Sequence, residues 1–279
     1  MWKRTFGVGH IAVGLESEHP QCARDLEAIT SLFADSDKEP VLTFSIRQAD
    51  DISLSLNGEE LWRGSDPGEI TAAFEVHLYV SIVYKLVPEL ASIHAACVGI
   101  NNQACVFAGV SDAGKSSICT KTLLEGCDYL SDEFSLLTET GEIEPFPRPL
   151  QWGKDEHPAF THEMMKSVGM KQASFIFPDK DGNIVTALLW LPKHVQHEPL
   201  PLRWVIFPRY DASIETPELT TIRRGEALME LPQHLHQQQR ADIMLQMLNQ
   251  RIPKETTFHR IRFNDVHEAW KLLKSSLFA

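Results

Sequence analysis

Cys105-Val-Phe-Ala-Gly109-Val-Ser-Asp-Ala-Gly114-Lys115-Ser116-Ser117 decides the reading of this chain. Residues 109–116 fit G-x-x-x-x-G-K-[ST] in full, and the flanks fit as well. A short apolar run enters the loop, and a helical pattern, Lys115–Glu125, leaves it to close at Gly126. Such a loop needs Gly109 and Gly114 so that the backbone can turn its N–H groups onto phosphate oxygens. The start of the helix adds the partial positive charge of unpaired amides. In this pattern Gly109, Ser111, Asp112, Ala113, Gly114, Lys115, Ser116 and Ser117 are the expected nucleotide contacts. Lys115 answers the β and γ phosphates, and the Ser116 hydroxyl ligates magnesium. Asp112 should point away from the phosphates, because its charge repels them.

Outward from the loop, Ser131-Asp132-Glu133 follows one helix and a return strand read over Tyr129–Leu137, with Asp132 17 residues after Lys115. Phosphoryl transfer to a hydroxyl needs one carboxylate to take the acceptor proton and another group to hold the metal. Asp132 is read as the base and, with Glu133 and Ser116, as a metal partner. On a strand these adjacent acids would face opposite sides. Upstream, Ile93–Ile100 and Ala104–Ala108 read as buried strands joined at Asn101-Asn102, and His94 lies in the first of them. A histidine beside phosphates can relay protons, since its unperturbed pKa is about 6.5. Arg148 and Lys154 follow on a proline-rich segment, where a cation could meet the charge that spreads over a transferring phosphoryl group. Arg209 is a weaker candidate of the same type.

Three stretches together resemble the HPr kinase/phosphorylase family and its shorter HPr-kinase-like relatives. They are Ser92-Ile-His94-Ala, Phe107 through Ser116, and Gly126-Cys-Asp-Tyr-Leu-Ser-Asp132-Glu133. The resemblance implies an α/β protein with a P-loop kinase core of HPr-kinase type. It also implies a Mg²⁺-ATP-dependent phosphotransferase with catalytic roles for Asp132, His94, Lys115 and Arg148. It covers Ala91–Leu150. The second Glu-x-Arg-Gly signature of the bifunctional enzyme is missing, which speaks against a reverse phosphorylase reaction and against HPr as the substrate. The expected acceptor is a serine hydroxyl of a peptide or protein. A small-metabolite hydroxyl and a non-catalytic nucleotide-binding regulator are the alternatives.

The rest of the chain supplies two expected parts, an N-terminal mixed α+β subdomain over 1–88 and the catalytic domain over 89–279. The first carries strand patterning at Phe6–Leu15 and Val41–Ile46 around a helix at Gln21–Phe33. A hairpin follows at Asn57-Gly58, then a helix from Asp66-Pro67 to Val87. The second adds strands at Phe175–Phe177, Val185–Leu191, Trp204–Phe207 and Phe258–Phe263. Its helices lie at Arg240–Leu248 and from Asp265 onward, capped by Asn264. Trp204, Phe207 and Tyr210 read as core. His234 and His236 read as a solvated connection, and Arg223-Arg224 as surface.

Composition narrows the partners. A formal charge of -12 disfavours nucleic acid and acidic lipid. The five cysteines, odd in number and without a Cys-x-x-Cys pair, speak for a reducing compartment. No apolar stretch approaches the ~20 residues that span a bilayer. A cytoplasmic protein is expected, and nothing here opposes a homo-oligomer.

Overall fold

The computed structural model describes residues 1–86, 90–152, 157–179, 181–236 and 240–278. Lys154 lies outside them. From the N-terminus the elements are β1 (Trp2–Val8), β2 (Ile11–Ser17), α1 (Pro20–Thr30), β3 (Leu42–Gln48), β4 (Ile52–Leu56), β5 (Glu59–Gly64) and α2 (Pro67–Leu86). Next come β6 (Ala91–Ile100), β7 (Gln103–Ala108), α3 (Lys115–Leu124), β8 (Asp128–Ser131), β9 (Phe134–Leu137), β10 (Glu142–Glu144) and β11 (Leu150–Gln151). The chain continues with α4 (His162–Ser167), β12 (Lys171–Pro178), β13 (Ile184–Leu191), β14 (Leu200–Tyr210), β15 (Glu218–Ile222) and α5 (Arg224–Glu230). A 3₁₀ turn (Leu231–His234), α6 (Ala241–Arg251), β16 (Thr257–Phe263) and α7 (Val266–Leu277) complete it. The architecture is mixed α/β.

Two compact units divide these elements. The first comprises Met1–Val87, Arg148–Asp155 and Met170–Leu191. Its five-stranded sheet runs β1-β2-β3-β4-β5, antiparallel except for the β2–β3 pair, which α1 connects. The stretch Phe6–Leu15, read as one strand, is a hairpin: β1 and β2 pair across Gly9-His10, and Gly9 adopts φ 55°. Asn57 and Gly58 have φ 51° and 87°, the left-handed pair that a tight two-residue hairpin requires. Asp66 starts α2 by accepting the amides of Gly68 and Glu69 at 2.7 and 3.2 Å. A Cβ at Gly68 would sit 1.9 Å from the Ile176 carbonyl oxygen, so only glycine lets α2 approach β12 this closely. That packing draws the three-stranded β11-β13-β12 sheet into the first unit. Residues 148–155 and 170–191, which the sequence reading assigns to the C-terminal domain, therefore belong with the N-terminal part. Pairing distant in sequence set the boundary.

The second unit comprises Pro88–Pro147, Glu156–Gly169 and Pro192–Ala279. Its eight-stranded sheet runs β10-β9-β6-β7-β14-β16-β15, with β8 also on β6 and β10 also on β14. The β7–β14 and β14–β16 pairs are parallel and the others antiparallel. Ala91, Ile93, Ala95 and Cys97 of β6 alternate into one core with Leu228, Leu231, Leu235 and Leu248. The intervening residues of β6, His94 among them, face the other side, where α3 packs. Asn101 and Asn102, with φ 52° and 58°, make the tight turn from β6 to β7.

Three local readings change. The stretch Tyr129–Leu137 is broken into β8 and β9 by Asp132-Glu133, because the Ser131 hydroxyl accepts the amides of Glu133 and Phe134 and turns the chain. Asp265, not Asn264, caps α7, accepting the amides of His267 and Glu268 at 2.7 and 3.1 Å. Arg224 is no plain surface residue: it donates to the carbonyls of Asn249, Ile252 and Pro253 at the end of α6.

Gly126 and Gly141 both have positive φ, but only a Cβ at Gly141 would collide, 2.6 Å from Pro253 Cγ and 2.8 Å from the Arg251 carbonyl. Gly126→Ala is expected to cost about 1–2 kcal/mol through the left-handed backbone alone. Gly141→Ala should cost at least about 1 kcal/mol more through overpacking. Urea unfolding of the two variants checks this, and equal losses would contradict it.

Candidate functional site

The glycine loop, Gly109–Gly114, leaves the end of β7 and opens directly into α3. Asp112 and Gly114 sit in the left-handed region, with φ 61° and 95°. Asp112 is exposed, and its charge acts on Lys115. A Cβ at Gly114 would meet the Phe263 ring at 2.5 Å, so this position is closed to larger residues by packing as well as by conformation. Gly114 supplies no side-chain cap to α3. The first-turn amides, which have no intrahelical acceptor, thus have no capping competitor for an incoming anion. The Lys115 ammonium, 7% exposed, folds back over the loop and donates to the carbonyls of Gly109 and Val110 at 2.8 and 2.9 Å.

Strand register brings the acids beside this loop. Ala95 of β6 lies opposite Ala108, the last residue of β7, so the loop departs level with His94. On its other edge β6 pairs His94 with Phe134, and the Ala95 amide donates to the Glu133 carbonyl at 3.1 Å. The loop, His94 and the Asp132-Glu133 turn thus occupy three adjacent lanes, each about 4.8 Å from the next. Because the acids sit in a turn, the strand rule of opposite faces does not separate them. Asp132 is 6% exposed and accepts from the Tyr129 hydroxyl at 3.2 Å. Glu133 reaches His94 Nε2 at 3.4 Å.

Electrostatics register the same cluster. Burial pushes the Lys115 pKa down, while Glu133, Asp112 and Asp132 pull it back up. Burial and then the Lys115 charge hold His94 below the ordinary histidine value, and Glu133 opposes them. Both effects need these charges to be close.

Three further histidines belong to this neighbourhood. Where β7 leaves β6, residues 235–236 take over the vacated edge: Leu235 bridges to Ile93, and the His236 amide donates to the Ser92 carbonyl at 2.9 Å. The His236 ring stacks on Phe134 with centroids 4.8 Å apart, lies 5.5 Å from His94, and places Nδ1 2.9 Å from the Ser92 hydroxyl. His234 is buried at 7% exposure. Neither is the solvated connection the sequence suggested. The rows of glutamine around them misled, since only pairing with β6 buries this segment. No sequence pattern marks His157. Its Nδ1 accepts the Ala159 amide at 3.1 Å, which leaves Nε2 of the neutral ring to donate to the Ser117 hydroxyl at 2.9 Å. No spacing rule links residues 40 apart.

Arg148 falls in the first unit, its guanidinium 4.9 Å from the Tyr79 ring centroid. Arg209 lines a cavity of about 390 Å³ together with Gly109–Ala113, Phe207, Glu230, His234 and Arg260. Tyr210, at 54% exposure, is not core. Among the described residues no group of three His, Cys, Asp or Glu side chains could hold a metal ion by itself. No described helix is long and apolar enough to cross a membrane.

The charges around His94 predict opposite responses to two substitutions. Glu133→Gln removes a charge that favours the imidazolium and should lower the His94 pKa further. Lys115→Ala removes a repelling charge and should raise it. Imidazole NMR against pH measures both, and shifts of the reverse sign would refute the assignment. His94, His157, His234, His236 and His259 are all held low by burial. Their neutral forms contribute stability that is present above the unfolded value of about 6.5 and is lost as the pH falls below it. In comparison with known proteins, no family model and no curated protein matches this chain.

Proposed function

We propose that this chain is an ATP-dependent kinase of HPr-kinase-like type that transfers the γ-phosphoryl group to a hydroxyl. One observation carries the reading. A buried lysine is held on the carbonyls of a glycine loop, and the charges of Asp132 and Glu133 reach it from the next lane of the sheet but one. The loop and the α3 amides have the form that cradles the phosphate chain, and Lys115 would exchange its two carbonyl contacts for β and γ oxygens.

The donor set suits magnesium. With no protein-only cage among the described residues, Ser116 and a carboxylate of the acidic turn would share the ion with phosphate oxygens and water. When bound, magnesium neutralises charge on the phosphates. Asp132 takes the proton of the acceptor hydroxyl as its oxygen forms the new bond to phosphorus. The bond from phosphorus to the β-phosphate oxygen breaks, and ADP leaves. The Tyr129 hydroxyl orients the Asp132 carboxylate for this task. Lys115 stabilises the charge that spreads over the equatorial oxygens. His94, paired with Glu133, stands beside the same phosphates as a proton relay.

The family resemblance favours a serine of a peptide or protein as acceptor. A small-molecule hydroxyl is the second reading, and the cavity beside the glycine loop favours it. Incubation with γ-labelled ATP, peptides and metabolites tests the activity. Lys115→Ala should abolish transfer. Asp132→Asn should keep ADP affinity and lose at least ~10²-fold in rate, the low end of general-base contributions. Turnover near normal in Asp132→Asn would remove the base. Nucleotide binding without any labelled acceptor would turn the reading toward a regulator.

A further inference from the structure

We propose that the cavity beside the glycine loop is the acceptor subsite, and that it selects a small molecule carrying an anionic group, carboxylate or phosphate ester, near its hydroxyl. This rests on the kinase reading and names its substrate class. The cavity borders the glycine loop along Gly109–Ala113. Its wall includes Gly109 and Val110, the two residues whose carbonyls hold the Lys115 ammonium. The charge of Lys115 is felt both by His234 in this wall and by His94 across the lane, and the charge of Asp132 acts on Lys115 in turn.

Two side chains define what the cavity recognises. His234 is 7% exposed, lines the cavity and makes no hydrogen bond among the described residues. Its ring nitrogens are not among the buried atoms that lack a partner, so they are open to a ligand or water in the cavity. Burial holds its pKa below the ordinary histidine value, with Glu230 opposing and Lys115 and His94 adding to the effect, and in the neutral ring one nitrogen can accept a hydroxyl proton while the other donates. Arg209 is exposed on the cavity wall and makes no ion pair or side-chain hydrogen bond among the described residues. The other guanidinium in the wall, Arg260, is already committed to Glu226 and Glu230 at 3.2 and 2.7 Å. The wall also holds two carboxylates: Glu230, which is paired with Arg260, and Asp112, whose charge acts on Lys115. Arg209 is left as the cation for a ligand, and a guanidinium pairs best with the forked oxygens of a carboxylate or phosphate. At about 390 Å³ the cavity sits at the low end of small-ligand sites, which run from about 300 to 1,000 Å³.

The test gives the full-length protein γ-labelled ATP with each of four probes: D-glycerate, glycerol 3-phosphate, neutral glycerol and a short serine peptide. Label is expected in glycerate or glycerol 3-phosphate, the two arms separating carboxylate from phosphate ester, and not in glycerol. Arg209→Gln should raise the KM of the anionic acceptor at least tenfold while kcat and ADP affinity stay near wild type. With ADP bound, the productive anion should shift the His234 imidazole resonances. Label in the peptide or equally in glycerol overturns the proposal, as does an Arg209→Gln variant that keeps the preference for anions. So does the absence of both transfer and any His234 response to either anion. Wild-type protein that fails to bind ADP or ATP would instead sink the kinase reading itself, a result visible before any acceptor is added.

Discussion

The second unit is organised by the two edges of β6. One edge fixes the end of β7, and therefore the take-off point of the glycine loop; the other fixes the turn that carries Asp132 and Glu133. Ladder hydrogen bonds set these positions to within one residue, because a slip would move every buried side chain of β6 to the wrong face. Ala91–Ile100 is buried along nearly its whole length, so that penalty is large. His94 is the one residue of this strand that is not fully buried, and it falls between the loop and the acids. The chemistry therefore depends on a spacing that hydrophobic burial enforces.

Around that spacing the unit tolerates several costs at once. Lys115 and Asp132 are nearly buried charges, which cost several kcal/mol unless paired. Carbonyls of the loop, the Tyr129 hydroxyl and mutual attraction offset part of this. Asp112 holds a left-handed backbone that a residue with a Cβ disfavours. The Lys115 ammonium meets the cost of its burial with two backbone carbonyls, those of Gly109 and Val110.

The histidines show how a polar segment becomes part of a site. Residues 234–236 would be solvated in isolation, and they are buried only because β7 turns away and leaves an edge of β6 to cover. The same substitution of one partner for another puts His234 into the cavity wall beside the loop. His157 reaches Ser117 by a different route, from the segment before α4. Each arrives from a distant stretch of chain, so their meeting depends on how the whole unit packs.

By itself the sequence determined what local rules can determine. Asn57-Gly58 and Asn101-Asn102 announce their turns because few residues adopt positive φ, and Asp66-Pro67 and Gly126 bound their helices for equally local reasons. The turn from Gly109 into the helix at Lys115 was legible because Gly114 stands where the backbone must adopt a positive φ, along one continuous stretch of chain. Tertiary structure decided the rest. It placed residues 170–191 in the first unit, paired residues 235–236 with β6, and set Arg209 in the wall of the cavity by the loop. These outcomes follow from pairing between segments tens of residues apart, and a sequence records the partners of such pairs without recording their register.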